Sequence, residues 1–254
     1  MIPRRRRRPG YSFREEFDGP AGAPPDPARW SYDLGGGGWG NGELQECTDS
    51  PVNAFQDGHS HLIIRATRES RPDSGHVYRS ARITTRDRFW QLGGTVEARI
   101  KVDSRRGLWP AFWLMGHSHA SAGWPACGEV DLMEDFGYRA VAASVHAPAE
   151  DGGLHSATSD LACDPGWHVN QPRWRPDGMV VSADGHPFLR VSREFCPTPS
   201  WIFGPGQPHN GGMFLLLNLA VGGNAGDPPP GTPFPVDLMI DYVRVSPPDP
   251  QTVT

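Results

Sequence analysis

Four acidic residues and three large apolar ones fall within the eight positions Gly128-Glu129-Val130-Asp131-Leu132-Met133-Glu134-Asp135. On a β-strand side chains alternate between faces, so Glu129 and Asp131 share one face while Val130 and Leu132 point the other way, into a core. Glu134 is out of phase. One extra residue inserted as a β-bulge around Met133 returns it to the face of Glu129 and Asp131. A helix serves less well, because it separates Glu129 from Asp131 by most of half a turn. Three carboxyls on one strand face repel if all are ionised in a cleft, so at least one holds a proton near neutral pH. A proton donor beside a carboxylate is what glycoside hydrolysis uses. With one bulge the Cα atoms of Glu129 and Glu134 lie ~13 Å apart at about 3.3 Å per residue. Two glutamates leaning together can close that span to the ~5–5.5 Å between the carboxyls of a retaining glycosidase. An acidic surface strand or a cluster of calcium ligands draws on the same residue types.

The elements that must position this stretch read as β-strands. Gly94 to Val102 has apolar residues at 96, 98, 100 and 102, strict period two. Gly107 to Gly116 is too aromatic to be left in water. Further strands are expected at Ser12–Gly19, His61–Ala66, Val77–Thr85, Ala140–His146, Trp167–Val169, Met179–Ala183, Met213–Val221 and Leu238–Val245, with Phe55–Gly58 as a turn. In Asn41-Gly42-Glu43-Leu44-Gln45 the polar Asn41, Glu43 and Gln45 alternate onto one face, as in a half-exposed strand that offers hydrogen bonds. Turn signals recur at short intervals, Pro228–Pro230 marks a surface loop, and no ten-residue stretch has helical periodicity. Many short strands with Gly/Pro turns indicate an antiparallel sandwich.

The chain has 254 residues, a formal net charge of −5 and a single lysine, Lys101. That length suits one all-β domain, expected over 12–246 between a disordered basic tail (1–11, with Arg4–Arg8) and a short tail at 247–254. The negative charge argues against a nucleic-acid partner held by phosphate neutralisation. No stretch approaches the ~18 apolar residues of a membrane span, and no apolar segment follows the arginine run as in a signal peptide. Cys163 and Cys196 lie in loop-like stretches and could pair in an oxidising compartment, whereas Cys127 reads as a small buried residue and Cys47 stays open. His117/His119 and His59/His61 lack further ligands at metal spacing. There is no serine nucleophile elbow, and Gly35–Gly38 lacks the lysine of a phosphate loop.

Sugars present flat apolar faces rimmed by hydroxyls, so their sites combine tryptophans with amides and carboxyls. Trp109, Trp113 and Trp124 all precede the acidic stretch, and His146 ends a small-residue strand that follows it. Glu129-x-Asp131-x-x-Glu134, with Trp124-Pro125-x-Cys127-Gly128 before it, resembles the bulged active-site signature of glycoside hydrolase family 16, and most closely its laminarinase-like endo-β-1,3-glucanases. Gly42-Glu43-Leu44-Gln45, Tyr78-x-Ser80-x-Arg82-Ile83-x-Thr85, Gly107-Leu108-Trp109-Pro110-Ala111-Phe112-Trp113 and Leu217-Asn218-Leu219-Ala220-Val221-Gly222-Gly223 look like other blocks of that family in order, from about Phe13 to Val245.

The resemblance implies a concanavalin A-like β-sandwich, or jelly roll, of two antiparallel sheets with an open substrate cleft on its concave face. It implies Glu129 as nucleophile, Glu134 as acid/base and Asp131 as the residue tuning the nucleophile. Trp109, Trp113 and Trp124 would stack on sugars, with Asn41, Glu43, Arg82, His146 and Asn218 as polar contacts. No cofactor is needed for catalysis; a structural calcium would sit at Glu16, the backbone of Gly58, and Asp241. The implied partner is a β-glucan, met by a monomer outside the cell. Other family 16 specificities (mixed-linkage glucan, galactan, transglycosylation) and a non-catalytic glucan-binding protein are the competing expectations. Departures from the family pattern are Pro172, placed by its missing N–H at an edge or bulge, Ser182 where an aromatic is common, and Asn224-Ala225-Gly226 without a tryptophan.

Overall fold

The structure is a computed structural model that describes residues 11–71, 75–149, 151–195 and 212–248. The basic run Arg4–Arg8 and Cys196 lie outside the described residues. In chain order the strands are β1 (Phe13–Glu15), β2 (Ser31–Tyr32), β3 (Gln45–Cys47), β4 (Ala54–Gln56), β5 (Leu62–Arg71), β6 (Gly75–Ser80), β7 (Arg82–Thr84), β8 (Gly94–Val102) and β9 (Leu108–Gly116). One helical turn, α1 (His119–Ala122), comes next. Then follow β10 (Glu129–Glu134), β11 (Ala140–Pro148), β12 (Leu154–Ala162), β13 (Gly166–Arg175), β14 (Gly178–Ala183), β15 (His186–Ser192), β16 (Met213–Val221) and β17 (Val236–Ser246).

The strands form two sheets. One runs β15-β14-β13-β8-β17-β5-β6-β3, with β1 on β17 and β4 on β5; the other runs β12-β11-β10-β9-β16-β7-β2. Pairing is antiparallel except between β3 and β6. Alternating residues of both sheets meet in one apolar core, to which β8 sends Val96, Ala98, Ile100 and Val102, and β10 sends Val130, Leu132 and Met133. A second apolar cluster lies on the outer face of the seven-stranded sheet, where Trp109, Ala111, Trp113, Phe214 and Leu216 meet. Covered on both faces, β9 and β16 are buried along their whole length, which is why their sequences are bulky throughout rather than alternating.

Several expectations change. Val77–Thr85 is not one strand: β6 belongs to the first sheet and β7 to the second, and the fully buried Ala81 is where the chain crosses between them. Phe55 lies in strand β4 rather than in a turn, because Ala54 and Gln56 turn inward while the Arg65 guanidinium covers the Phe55 ring at 4.9 Å; the turn comes at Asp57, whose carboxylate accepts from the amides of His59 and His61. Pro172 sits neither at an edge nor in a bulge. It lies inside β13, between β14 and β8, where the β13–β8 ladder skips Gln171 and Pro172 without a change of register. Strands β12 and β15 run where the apolar pattern gives no signal. Cys47, Cys127 and Cys163 are buried and unbonded to one another.

The bulge around Met133 is present. Asp131 faces Ser144 and Glu134 faces Ala142, so two residues, Leu132 and Met133, oppose Ala143 alone; on the other side the shift falls between Asp131 and Met133. Both extra side chains are fully buried in the core. Leu132→Ala is expected to cost about 2–5 kcal/mol of stability, the usual range for a buried leucine, measured as a lower urea midpoint at unchanged m-value.

Candidate active site

With two consecutive residues of β10 turned inward, Glu129, Asp131 and Glu134 all reach the outer face of the seven-stranded sheet. Asp131 is 4% and Glu134 8% exposed. Glu129 accepts hydrogen bonds from the Asp131 carboxyl and the Trp124 indole. Glu134 accepts from Trp109 Nε1 at 2.9 Å. On β11, directly opposite Glu129, His146 lies with Nε2 3.1 Å from Asp131 Oδ2, and its Nδ1 is 2.7 Å from Ser156 Oγ on β12.

The sequence-derived contact residues gather around these carboxyls in different settings. Trp124 is 48% exposed, its ring 6.3 Å from that of His146. Trp109 and Trp113 are floor residues at 8% exposure, and Trp113 Nε1 donates to Asn218 Oδ1 at 2.8 Å. Arg82 is held between two indoles, 4.5 Å from Trp113 and 4.9 Å from Trp39, with Asp33 at 3.2 Å from its Nε. Asn41 and Glu43 do not lie in a strand. They occupy a turn and a single bridge to Gly222, where Asn41 Nδ2 donates to Glu43 Oε1 at 3.1 Å and Gln45 Nε2 to Oε2 at 2.5 Å. The expected half-exposed polar face is not kept at Gln45, which is buried and accepts from the Val221 amide at 2.7 Å, while Leu44 is 44% exposed.

Three participants were not found from the sequence. Asp33 joins Arg82 to Arg86, Trp39 covers Arg82, and Ser156 bonds His146. Only Ser156 could have been found, from the alternation of Ser156, Thr158 and Asp160 in a stretch without apolar marks.

Residues 41–210 match the family model described as Glycosyl hydrolases family 16. The chain belongs to glycosyl hydrolases family 16. It is 36% identical over 244 residues to a protein of Rhodothermus marinus named beta-glucanase, covering 91% of this chain and 82% of that one. It is 30% identical over 257 residues to glucan endo-1,3-beta-glucosidase A1 of Niallia circulans, covering 92% of this chain but 37% of that protein. In structure it resembles the laminarinase catalytic domain of Thermotoga maritima MSB8, with a TM-score of 0.78 and 32% identity over 94% of this chain and 98% of that one. The two sheets are those of the family's jelly-roll sandwich, and the protein is a glycoside hydrolase.

In this family 16 site, burial works against ionisation of all three carboxyls. It pushes Glu134 well above the ordinary 4.5, with the neighbouring charge of Asp131 adding to the shift and the Trp109 bond opposing it. Burial also raises Asp131 well above its ordinary value, reinforced by the charge of Glu129 and by the hydrogen bond they share. Glu129 is raised too, but His146, the bonds from Asp131 and Trp124, and Arg82 all pull it back. Burial thus drives Glu134 strongly towards its protonated form, while at Glu129 more partners oppose the same upward shift.

The residues expected to hold calcium do not fit it. Glu16 accepts from Arg244 through both oxygens, at 2.8 and 2.7 Å, and from Arg14 at 2.7 Å; Asp241 Oδ2 accepts from Arg99 at 2.6 Å. Calcium takes carboxylates free of such cations, and these are already neutralised by guanidinium groups.

The raised Glu134 gives a pH prediction whose sign is fixed. An acid raised above its unfolded 4.5 binds its proton more tightly when folded, so stability is full below the unfolded value and is lost as pH rises through the folded one. The wild-type melting temperature should fall more steeply than that of Glu134→Gln as pH rises above the unfolded 4.5, and the two should converge below it; calorimetry across pH measures both.

Proposed function

We propose that the chain is a retaining endo-hydrolase of β-1,3-glucan. The observation that carries this is the row Glu129, Asp131 and Glu134 on one strand face, all three driven towards protonation by burial, with the shift opposed most at Glu129. In the first step Glu134 gives its proton to the glycosidic oxygen while the Glu129 carboxylate attacks the anomeric carbon. The C–O bond to the leaving sugar breaks and a glycosyl ester forms on Glu129. In the second step Glu134, now a carboxylate, takes a proton from water, which attacks the same carbon and frees Glu129. Asp131, between them, keeps a proton directed at Glu129 and assists its departure as a carboxylate.

The β-1,3 linkage is supported by the names of the relatives, glucan endo-1,3-beta-glucosidase and laminarinase. The exposed Trp124 ring offers an apolar platform for a sugar face, with Asn41, Glu43, Arg82, His146 and Asn218 as polar contacts around the floor tryptophans. A polymeric substrate that cannot enter a cell puts the enzyme outside it.

Incubation with laminarin, lichenan, agarose and carrageenan, followed by measurement of reducing ends and of retention on each polymer, tests the assignment. Laminarin should release reducing ends fastest, with the β-anomer appearing first by NMR. Glu134→Gln should lose about 10²–10⁴-fold in rate, and Glu129→Gln at least as much, with both still folded. Near-normal hydrolysis by either variant, or retention on laminarin without cleavage by the wild type, would overturn it.

A further inference from the structure

Register carries the site one strand further than the three carboxyls and their usual neighbours. Glu129 faces His146 across β10 and β11, and His146 faces Ser156 across β11 and β12. The side chains follow that line: Ser156 Oγ to His146 Nδ1 at 2.7 Å, His146 Nε2 to Asp131 Oδ2 at 3.1 Å, and Asp131 to Glu129. A parallel rung, Ser144 Oγ to Thr158 Oγ1 at 3.0 Å, fixes β12 against β11 one position away on the same face.

With His146 neutral and Glu129 ionised, the hydrogens along this line have one workable direction. A carboxylate only accepts, so Asp131 must be the donor to Glu129. Asp131 Oδ2 is then left as an acceptor 3.1 Å from His146 Nε2, an ion-pair contact that favours a hydrogen on that nitrogen. A neutral imidazole carries a single N–H, so Nδ1 is left bare and needs a donor. Ser156 is the side chain at bonding distance. Every hydrogen in the series then points towards Glu129. In the opposite arrangement Nδ1 holds the hydrogen, the Asp131 proton turns to the bare Nε2, and the oxygens of Asp131 and Glu129 face each other with none between them.

We propose that Ser156 is a positioning residue of this site, whose hydroxyl donates to His146 Nδ1, holds the imidazole in its Nε2–H tautomer and so keeps the Asp131 proton on the side of Glu129. The proposal rests on the reading of Glu129 as nucleophile. The charged or titratable groups that face this line are Glu129, Asp131 and Glu134 on β10, Arg82 on β7, and Asp160 on β12 opposite Ala142. Ser156 touches neither the reacting carboxyls nor any of these charges; its effect passes through His146.

The test pairs kinetics with a readout that needs no turnover. Nitrogen-15 NMR of histidine-labelled protein, with the His146 signals assigned by their loss in His146→Gln, reports the tautomer directly. Wild type and Ser156→Thr should show Nε2–H, and Ser156→Ala a mixture. In hydrolysis of laminarin, Ser156→Ala should lower kcat about three- to tenfold, the worth of one hydrogen bond, with KM little changed. Its acidic limb should move to higher pH, since Glu129 becomes harder to ionise, and Ser156→Thr should restore both. A wild-type Nδ1–H tautomer, or a Ser156→Ala variant matching wild type in both tautomer and pH profile, would overturn the proposal. Failure of the wild type to cleave any glucan would instead remove the proposed function and leave the tautomer result standing.

Discussion

One extra residue in β10 sets the geometry of the whole outer face. In an unbroken strand Glu134 would follow Val130 and Leu132 into the core, where an unpaired carboxyl has no compensation. The insertion turns Leu132 and Met133 inward together and brings Glu134 back beside Asp131. A bulge sacrifices regular ladder pairing, and here two fully buried side chains offset that loss, each of a size worth about 1.5–3 kcal/mol on burial. The apolar packing beneath the strand and the carboxyl row above it are thus two consequences of a single register shift. The neighbouring β9, buried along its whole length and paired on its far side to β16 over nine successive residues, supplies the stiff edge against which the irregular strand is held.

The same closeness to the core gives the carboxyls their chemistry. Desolvation is the largest influence on all three, and taken alone it would protonate every one. What separates them is the supply of donors. Glu129 has Asp131, Trp124, His146 and Arg82 on its side; Glu134 has one indole N–H and the adverse charge of Asp131. Two chemically identical side chains on one strand both have their pKa raised by burial, Glu129 with more opposing partners than Glu134. This arrangement opposes stability, since an acid kept protonated by its surroundings is a group the folded state would rather not ionise. The ten- and seven-stranded sheets and the continuous core between them are what tolerate it.

Much of this was readable in sequence wherever side-chain periodicity carries the information. The parity conflict at Glu134 demanded a bulge, the alternation of Val96, Ala98, Ile100 and Val102 marked β8, and the unrelieved bulk of residues 107–116 marked a stretch kept from water, which the structure shows as a strand buried on both faces. Periodicity is silent on which sheet a strand joins. Val77 to Thr85 therefore read as one strand although Ala81 carries it from one sheet to the other, and β12, whose only alternation is the polar series Ser156, Thr158 and Asp160, gave no apolar mark. Pro172 was read by its local rule, which ignores that a ladder can skip two residues and keep its register. Asp33 and Trp39 lie in segments without alternation, and only the folded path of the chain brings them to Arg82.

The limits of a linear motif have a structural reason in a sheet. A strand can display its own residues on a face, but it cannot supply their lateral partners, which come from the strands on either side at positions fixed by register. Glu129, Asp131 and Glu134 are contiguous in sequence and announce themselves. The groups that decide their protonation, His146 and then Ser156 outward along one rung, with Trp109 and Arg82 inward along others, are spread from residue 82 to residue 156. Each bond in such a rung constrains the next, because a neutral histidine between two partners must donate to one and accept from the other. On the proposed reading, the nine-residue edge strand β12 meets Glu129 through His146, and its influence falls on which proton faces Glu129 rather than on where the carboxyls stand.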